Sequence, residues 1–215
     1  MVWVGMAKET AHQLGTPISS IGAWVEYLRE NEPTLANSSA LTEMERDVER
    51  LTLVADRFSK IGSVPQLKAE NVKETLERNI DYMRHRSSGD VAFTLVCADD
   101  ALTFAINTQL FDWVLENLYK NALDAMQGAG SLSTVVSTDM SKVYIDITDS
   151  GCGIPRGKQQ TIFEPGYSTK RRGWGLGLSL TKRIVEAYHS GKIYVLQSEV
   201  GKGTTFRIEV PRMVG

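Results

Sequence analysis

The chain has 215 residues, of which 42% are hydrophobic and 23% charged, ordinary proportions for one large or two small water-soluble domains. A net charge of −2 gives no basic footprint for nucleic acid. No apolar run approaches the roughly 18 residues of a membrane span, so no membrane contact is expected of this stretch. Cys97 and Cys152 have neither metal-site nor disulfide-framework spacing and fit a reducing, cytoplasmic setting. No signal peptide opens the sequence, and a helical pattern is already under way there. A piece of a longer protein is therefore expected.

Ala7, Ala11, Leu14, Ile18, Ile21, Val25 and Leu28 recur alternately four and three residues apart, which is a heptad seam. A second seam runs through Leu41, Met44, Val48, Leu51, Ala55 and Phe58. The turn-forming stretch "NEPTLANSS" separates them, so the first 64 residues read as a helical hairpin. Each seam needs partners on more than one side. Pairing two hairpins in a homodimer gives a four-helix bundle, and docking on the chain's own second half is the alternative. His12 falls one residue beyond Ala11, just outside the first seam, and is expected to face solvent or a partner. Pro17 lacks an N–H and crowds the carbonyl of Gln13, which predicts a loosened or bent helix just below His12.

"GSVPQL", residues 62–67, reads as a linker to a second domain over residues 65–215. Asn71 with Glu74 resembles a capping box opening a helix to about Arg86. Strand-like "VAFTLVCA" and "LTFAI" follow, then a helix over about residues 107–127 and two strands, "SLSTVVSTD" and "KVYIDITD". A glycine-rich segment leads into the helix "GLSLTKRIVEAYHS", and "KIYVLQSE" with "TTFRIEV" forms a closing antiparallel pair. The fold class is α+β: the hairpin, then a sandwich of one mixed sheet with helices on one face.

Four segments carry candidate chemistry. In "ENLYKNALDAM", Asn117 and Asn121 project from one helix face, and amide oxygens are hard ligands suited to Mg²⁺. In "DSGCGIP", Asp149 ends a strand as an acceptor-only carboxylate, able to hold an amino group such as that of adenine. Glycines at 151 and 153 allow a flat ligand close to the backbone. In "GWGLGLSL", Gly173, Gly175 and Gly177 precede a helix start, a place where free N–H groups attract phosphate. "GKGTTFRIEV" alone is an ordinary hairpin turn.

In this order the segments resemble the catalytic core of two-component sensor histidine kinases. "AHQLGTP" resembles the H box, "ENLYKNALDAM" the N box, "DSGCGIP" the G1 box, "IFEPGYSTK" the F box, "GWGLGLSL" the G2 box and "GTTF" the closing motif. The resemblance implies a dimerisation and histidine-phosphotransfer domain, then a Bergerat-fold domain binding ATP and Mg²⁺. It implies autophosphorylation of His12 and transfer to an aspartate on a response regulator receiver domain. It gives Asp149 the adenine amino group, with Gly151, Gly153 and Thr205 around the adenine, and Asn121 the Mg²⁺, with Asn117 close to the same phosphates. Gly175 and Gly177 then cradle phosphates. Residues 156–172 form a lid in which Lys170 meets the terminal phosphate. Lys120 is a further candidate, and Asp124 stands where many members carry a basic residue. Thr16 is assigned to dephosphorylation of the regulator. Gln13 replaces the family's usual acidic neighbour of the histidine, which keeps a signalling scaffold or a mainly phosphatase protein open. A related ATPase of the gyrase, Hsp90 and MutL group is disfavoured by His12 beside a heptad hairpin. His189 ends a helix, where partial positive charge is expected on its ring. A cytoplasmic part of a membrane-anchored sensor completes the expectation.

Overall fold

The computed structural model describes residues 2–32, 34–35, 38–60, 65–87, 89–169 and 175–213, with side chains described for these outside 2–14, 49–50 and 53–60. The chain divides into two compact units, Met1–Pro65 and Gln66–Gly215.

The first unit is a hairpin of α1 (Val2–Asn31) and α2 (Ser39–Lys60). Ser38 starts α2, its hydroxyl accepting the Ala40 and Leu41 N–H groups at 3.2 and 3.4 Å. Ile18 and Val25 of α1 and Leu41 of α2 are buried. Gly22 lets the helices approach, since a Cβ there would lie 3.3 Å from Val48 Cγ1. Arg29 bridges to Glu45 at 2.6 Å. Of the other described seam residues, Leu28 and Val48 are half-buried, while Ile21, Met44 and Leu51 stay 44%, 47% and 38% exposed. α1 is α-helical across Pro17.

The second unit contains β1 (Lys68–Asn71), α3 (Val72–Arg86), β2 (Asp90–Cys97), β3 (Thr103–Ile106) and α4 (Thr108–Met126). Next come β4 (Ala129–Thr138), β5 (Lys142–Asp149), α5 (Gly177–Arg183), β6 (Lys192–Glu199) and β7 (Gly203–Pro211). One π-helical turn, Ile184–Tyr188, prolongs α5. Asn71 caps α3 by accepting the Glu74 N–H at 3.0 Å. Five strands form a mixed sheet in the order β2-β4-β5-β7-β6. β2 runs parallel to β4, and the other pairs are antiparallel.

Burial alternates strictly along β5 and most of β7. Val143, Ile145, Ile147, Phe206, Ile208 and Val210 point into a core filled from the helices by Leu76, Phe111, Leu115, Leu118 and Ile184. The outer face is polar and paired, with Arg207 making a two-pronged contact to Asp146 at 2.7 and 2.6 Å. This is the expected two-layer arrangement, with one difference: "LTFAI", read as a strand of the one sheet, lies outside it as β3. β1 pairs only with β3, in a separate antiparallel ribbon. "KAEN" has no apolar alternation, so its strand character comes from backbone pairing rather than from a buried face.

Candidate nucleotide site

α4 carries the first part of the site. Its buried stripe includes Leu110, Val114, Leu118, Ala122 and Met126, which leaves Asn117 and Asn121 half-buried at the margin. The Asn117 Nδ2–H donates to the Thr181 hydroxyl of α5 at 2.9 Å. The start of α5 lies against the same amide, because a Cβ at Gly177 would sit 2.4 Å from Asn117 Oδ1. A Cβ there would push the amide aside. The asparagine helix and the glycine-rich helix start, 60 residues apart in the sequence, thus form one corner.

Asp149 ends β5 with its side chain buried, and its Oδ1 accepts the Gly151 N–H at 2.8 Å. Burial pushes its carboxyl pKa up, opposed by the backbone N–H groups of Gly151 and Thr204, which favour the charged form. The loop beyond it is pinned on both sides. The Cys152 N–H donates to the Ala125 carbonyl at 3.1 Å, and the Cys152 carbonyl accepts the Gly201 N–H at 2.8 Å. The Ile154 N–H, just past Gly153, donates to Ser198 Oγ at 2.7 Å. Gly203, with φ +110°, passes so close that a Cβ would lie 1.9 Å from the Asp149 carbonyl oxygen. The backbone around the carboxylate is held by α4 on one side and the β6–β7 turn on the other.

Phe163 packs edge-on against Phe206, ring centres 6.2 Å apart, with Lys182 Nζ 5.7 Å from the Phe163 ring centre. The Gly166 N–H donates to the Gly175 carbonyl at 3.0 Å, fastening the far end of that segment. Lys170 lies outside the described residues. His12 and Gln13 lie within α1, with their side chains outside the described set, and Thr16 is exposed one turn further on.

Two expectations change. Thr205 does not share the face of Asp149. Asp149 pairs across the ladder with Thr204, while Thr205 pairs with Thr148 on the outer face, their hydroxyls 3.0 Å apart. Thr204 is the buried threonine beside the carboxylate. Counting back in twos from Phe206 would have found it. His189 is not a partly charged helix-end ring. It is buried, its Nδ1 bonded to the Ile184 carbonyl at 2.9 Å and its Nε2 accepting the Asn107 N–H at 3.1 Å. Burial pulls its pKa down. Nothing local in the sequence announces that α4 and α5 meet at Thr181.

Residues 106–213 match the family model "Histidine kinase-, DNA gyrase B-, and HSP90-like ATPase". The chain belongs to this family. Its curated relatives include proteins named sensor histidine kinase and sporulation kinase. The chain is 30% identical over 210 residues to sensor histidine kinase ZraS of Escherichia coli K12, covering 96% of this chain and 45% of ZraS. It is 28% identical over 211 residues to sporulation kinase E of Bacillus subtilis, covering 96% of this chain and 28% of that kinase. The chain therefore spans less than half the length of these relatives, and the matched stretch includes the hairpin.

Among solved structures, the catalytic domain of histidine kinase ThkA matches with a TM-score of 0.63 and 26% identity, over 68% of this chain and 96% of that domain. Full-length ShkA in complex with AMPPNP shares the fold at a TM-score of 0.83 and 21% identity, over 98% of this chain and 46% of ShkA. The second unit is thus an ATP-binding domain of histidine-kinase type, and among the described residues no helix is long and apolar enough to cross a membrane.

Proposed function

We propose that this chain is the catalytic core of a sensor histidine kinase. It autophosphorylates His12 and passes the phosphoryl group to an aspartate on a response regulator receiver domain. One observation carries the reading: a buried acceptor-only carboxylate, Asp149, stands on the same small domain as the corner where Asn117 meets Gly177. The carboxylate suits an adenine amino group and the corner suits phosphates. The first unit adds a helical hairpin bearing a histidine, and relatives named sensor histidine kinases align over both units.

In this reading residues 1–64 are the dimerisation and phosphotransfer domain and residues 65–215 the ATP-binding domain. Asp149 holds the adenine amine, with Gly151, Gly153 and Thr204 shaping its surroundings. Asn121, with Asn117 beside it, fits Mg²⁺ because amide oxygens are hard, neutral ligands. When bound, the ion neutralises charge on the transferred phosphate. Gly175, Gly177 and Lys170 hold the phosphates.

A neutral imidazole at position 12 attacks the γ-phosphorus in line. The N–P bond forms as the bond to the β-phosphate oxygen breaks, ADP leaves, and the ring then releases its N–H proton to water. Gln13 accepts that N–H through its carbonyl and selects the tautomer, but it cannot take the proton. Thr16, one turn along α1 from His12, takes the role of orienting water for dephosphorylating the regulator. Homodimerisation into a four-helix bundle is supported by the exposed Ile21, Met44 and Leu51. A regulator partner is supported by the solved complex of ThkA with response regulator protein TrrA, to which this chain is 22% identical at a TM-score of 0.65. The net charge of −2 gives no basic footprint for a nucleic-acid partner, and a cytoplasmic setting is part of the same proposal.

The test is incubation with γ-labelled ATP and Mg²⁺. Acid-labile, alkali-stable label is expected, lost in His12→Gln and acquired faster in Gln13→Glu, which restores a carboxylate beside the ring. Label on serine or threonine, or none, refutes the reading.

A further inference from the structure

The Asn117 amide has two ends of opposite chemistry. Its oxygen only accepts or ligates, and its NH₂ only donates. Turned one way the side chain offers a cation an oxygen. Turned the other way it offers the positive end of the amide, which repels one. Asn117 sits at the half-buried margin of α4, and its side-chain bond runs to α5.

The choice is set from α5. Thr181 is fully buried, and its hydroxyl oxygen accepts the Asn117 Nδ2–H at 2.9 Å. That bond ties the donor end to α5. The oxygen end is then the one against the glycine-rich helix start: a Cβ at Gly177 would lie 2.4 Å from Oδ1 but 3.2 Å from Nδ2. Thr181 stands one helical turn beyond Gly177, so both residues present themselves to α4 from one face. We infer that Thr181 is a positioning residue, which acts through Asn117 by fixing the amide with Oδ1 toward the phosphate corner and so tunes the metal-dependent part of nucleotide binding.

The inference deepens the reading of this corner as the Mg²⁺–phosphate site and rests on it. It separates two roles that a static contact confuses. A threonine that merely clips α5 to α4 would affect folding and all ligands alike. One that orients an amide toward a metal-bearing phosphate affects only binding that involves the metal. Valine has the shape of threonine without the hydroxyl, and serine keeps the hydroxyl without the methyl.

The experiment measures ATP affinity of the whole chain by calorimetry, with Mg²⁺ and again with EDTA, for wild type, Thr181→Val and Thr181→Ser, alongside melting curves. In Mg²⁺, Thr181→Val is expected to bind roughly two- to tenfold more weakly, the loss of one ordinary hydrogen bond. Its affinity in EDTA stays that of wild type, and Thr181→Ser restores the Mg²⁺ value. Should the valine variant melt below the titration temperature, Thr181→Ala is read in its place by the same criteria. Equal weakening with and without the metal, or no weakening in Mg²⁺, overturns the inference. A wild-type chain that binds no ATP under either condition overturns instead the reading of the corner as a nucleotide site.

Discussion

The two units of this chain solve the problem of burying apolar surface in opposite ways. The ATP-binding unit closes on itself: the inner face of its sheet and three helices enclose Phe104, Phe111, Leu76, Ile145 and Ile208, all fully buried. The hairpin buries Ile18, Val25 and Leu41 and leaves Ile21, Trp24 and Met44 in solvent. Two helices cannot cover both sides of their own seams. A unit that holds nucleotide gains from a rigid, self-sufficient core. In the proposed role, a unit that presents a histidine to partners gains from a surface completed by something else.

The largest expected effect separates the two kinds of core. Phe111→Ala removes a fully buried ring packed against Phe104 and should cost about 3–5 kcal/mol. The melting temperature of the ATP-binding unit should fall by the same amount at every protein concentration. Ile21→Glu should act differently, shifting sedimentation toward monomer and weakening the hairpin more at low concentration than at high. Calorimetry and sedimentation at two concentrations distinguish them. If Ile21→Glu leaves the sedimentation coefficient unchanged, the hairpin is complete alone and the contrast fails.

Much of this contrast is legible in the sequence because it rests on periodicity. The heptad seams mark both helices of the hairpin, and the alternation in "KVYIDITD" and "TTFRIEV" marks the sheet's inner face. What escapes is long-range. β1 has no buried face of its own and exists through its partner β3. The Asn117–Thr181 bond joins residues 64 apart, and no local pattern encodes it. Thr204 lay within reach of period-two counting. The resemblance drew attention to its neighbour Thr205, whose side chain lies across the sheet. The helix-end position of His189 says nothing of what lies above its ring, here Phe111 and the start of α4.

The next effect is confined to the closed unit. Asp149→Asn replaces an acceptor-only group with one that also presents a donor. ATP affinity should drop about 10- to 100-fold, the range for a hydrogen bond to a charged group. Folding should not suffer, because burial disfavours the charge that is removed. The pH dependence has two signs. The folded carboxyl has a raised pKa, so above the ordinary carboxylate value of about 3.9 the folded state holds the proton longer than the unfolded one. Stability from this group is present at low pH and lost as pH rises through the folded pKa. Adenine binding needs the charged acceptor, so affinity falls as pH drops into the same window. Calorimetric titration with ATP across that range should show this fall in wild type and not in Asp149→Asn. Unchanged affinity in the variant would remove Asp149 from the site.

The smallest effect sharpens the comparison furthest, because it should be visible in one unit only. His189 lies inside the closed core, with Nδ1–H donating to the Ile184 carbonyl and Nε2 accepting from the Asn107 N–H. That pattern requires the neutral ring, since a protonated Nε2 would set a donor against a donor. Burial lowers the folded pKa below the ordinary value of about 6.5. Above that ordinary value both folded and unfolded states are neutral, and the full stability is present. As pH falls through the window the unfolded chain takes up a proton that the folded one refuses. Stability is then lost with a slope of at most one proton, about 1.4 kcal/mol per pH unit. Glutamine at 189 offers an acceptor and a donor without titrating, so His189→Gln should flatten this slope. The melting transition of the ATP-binding unit should carry the whole difference, and the transition of the hairpin none. Parallel slopes in wild type and variant would mean that the ring is protonated in the folded state, and that the bond from Asn107 does not hold the start of α4.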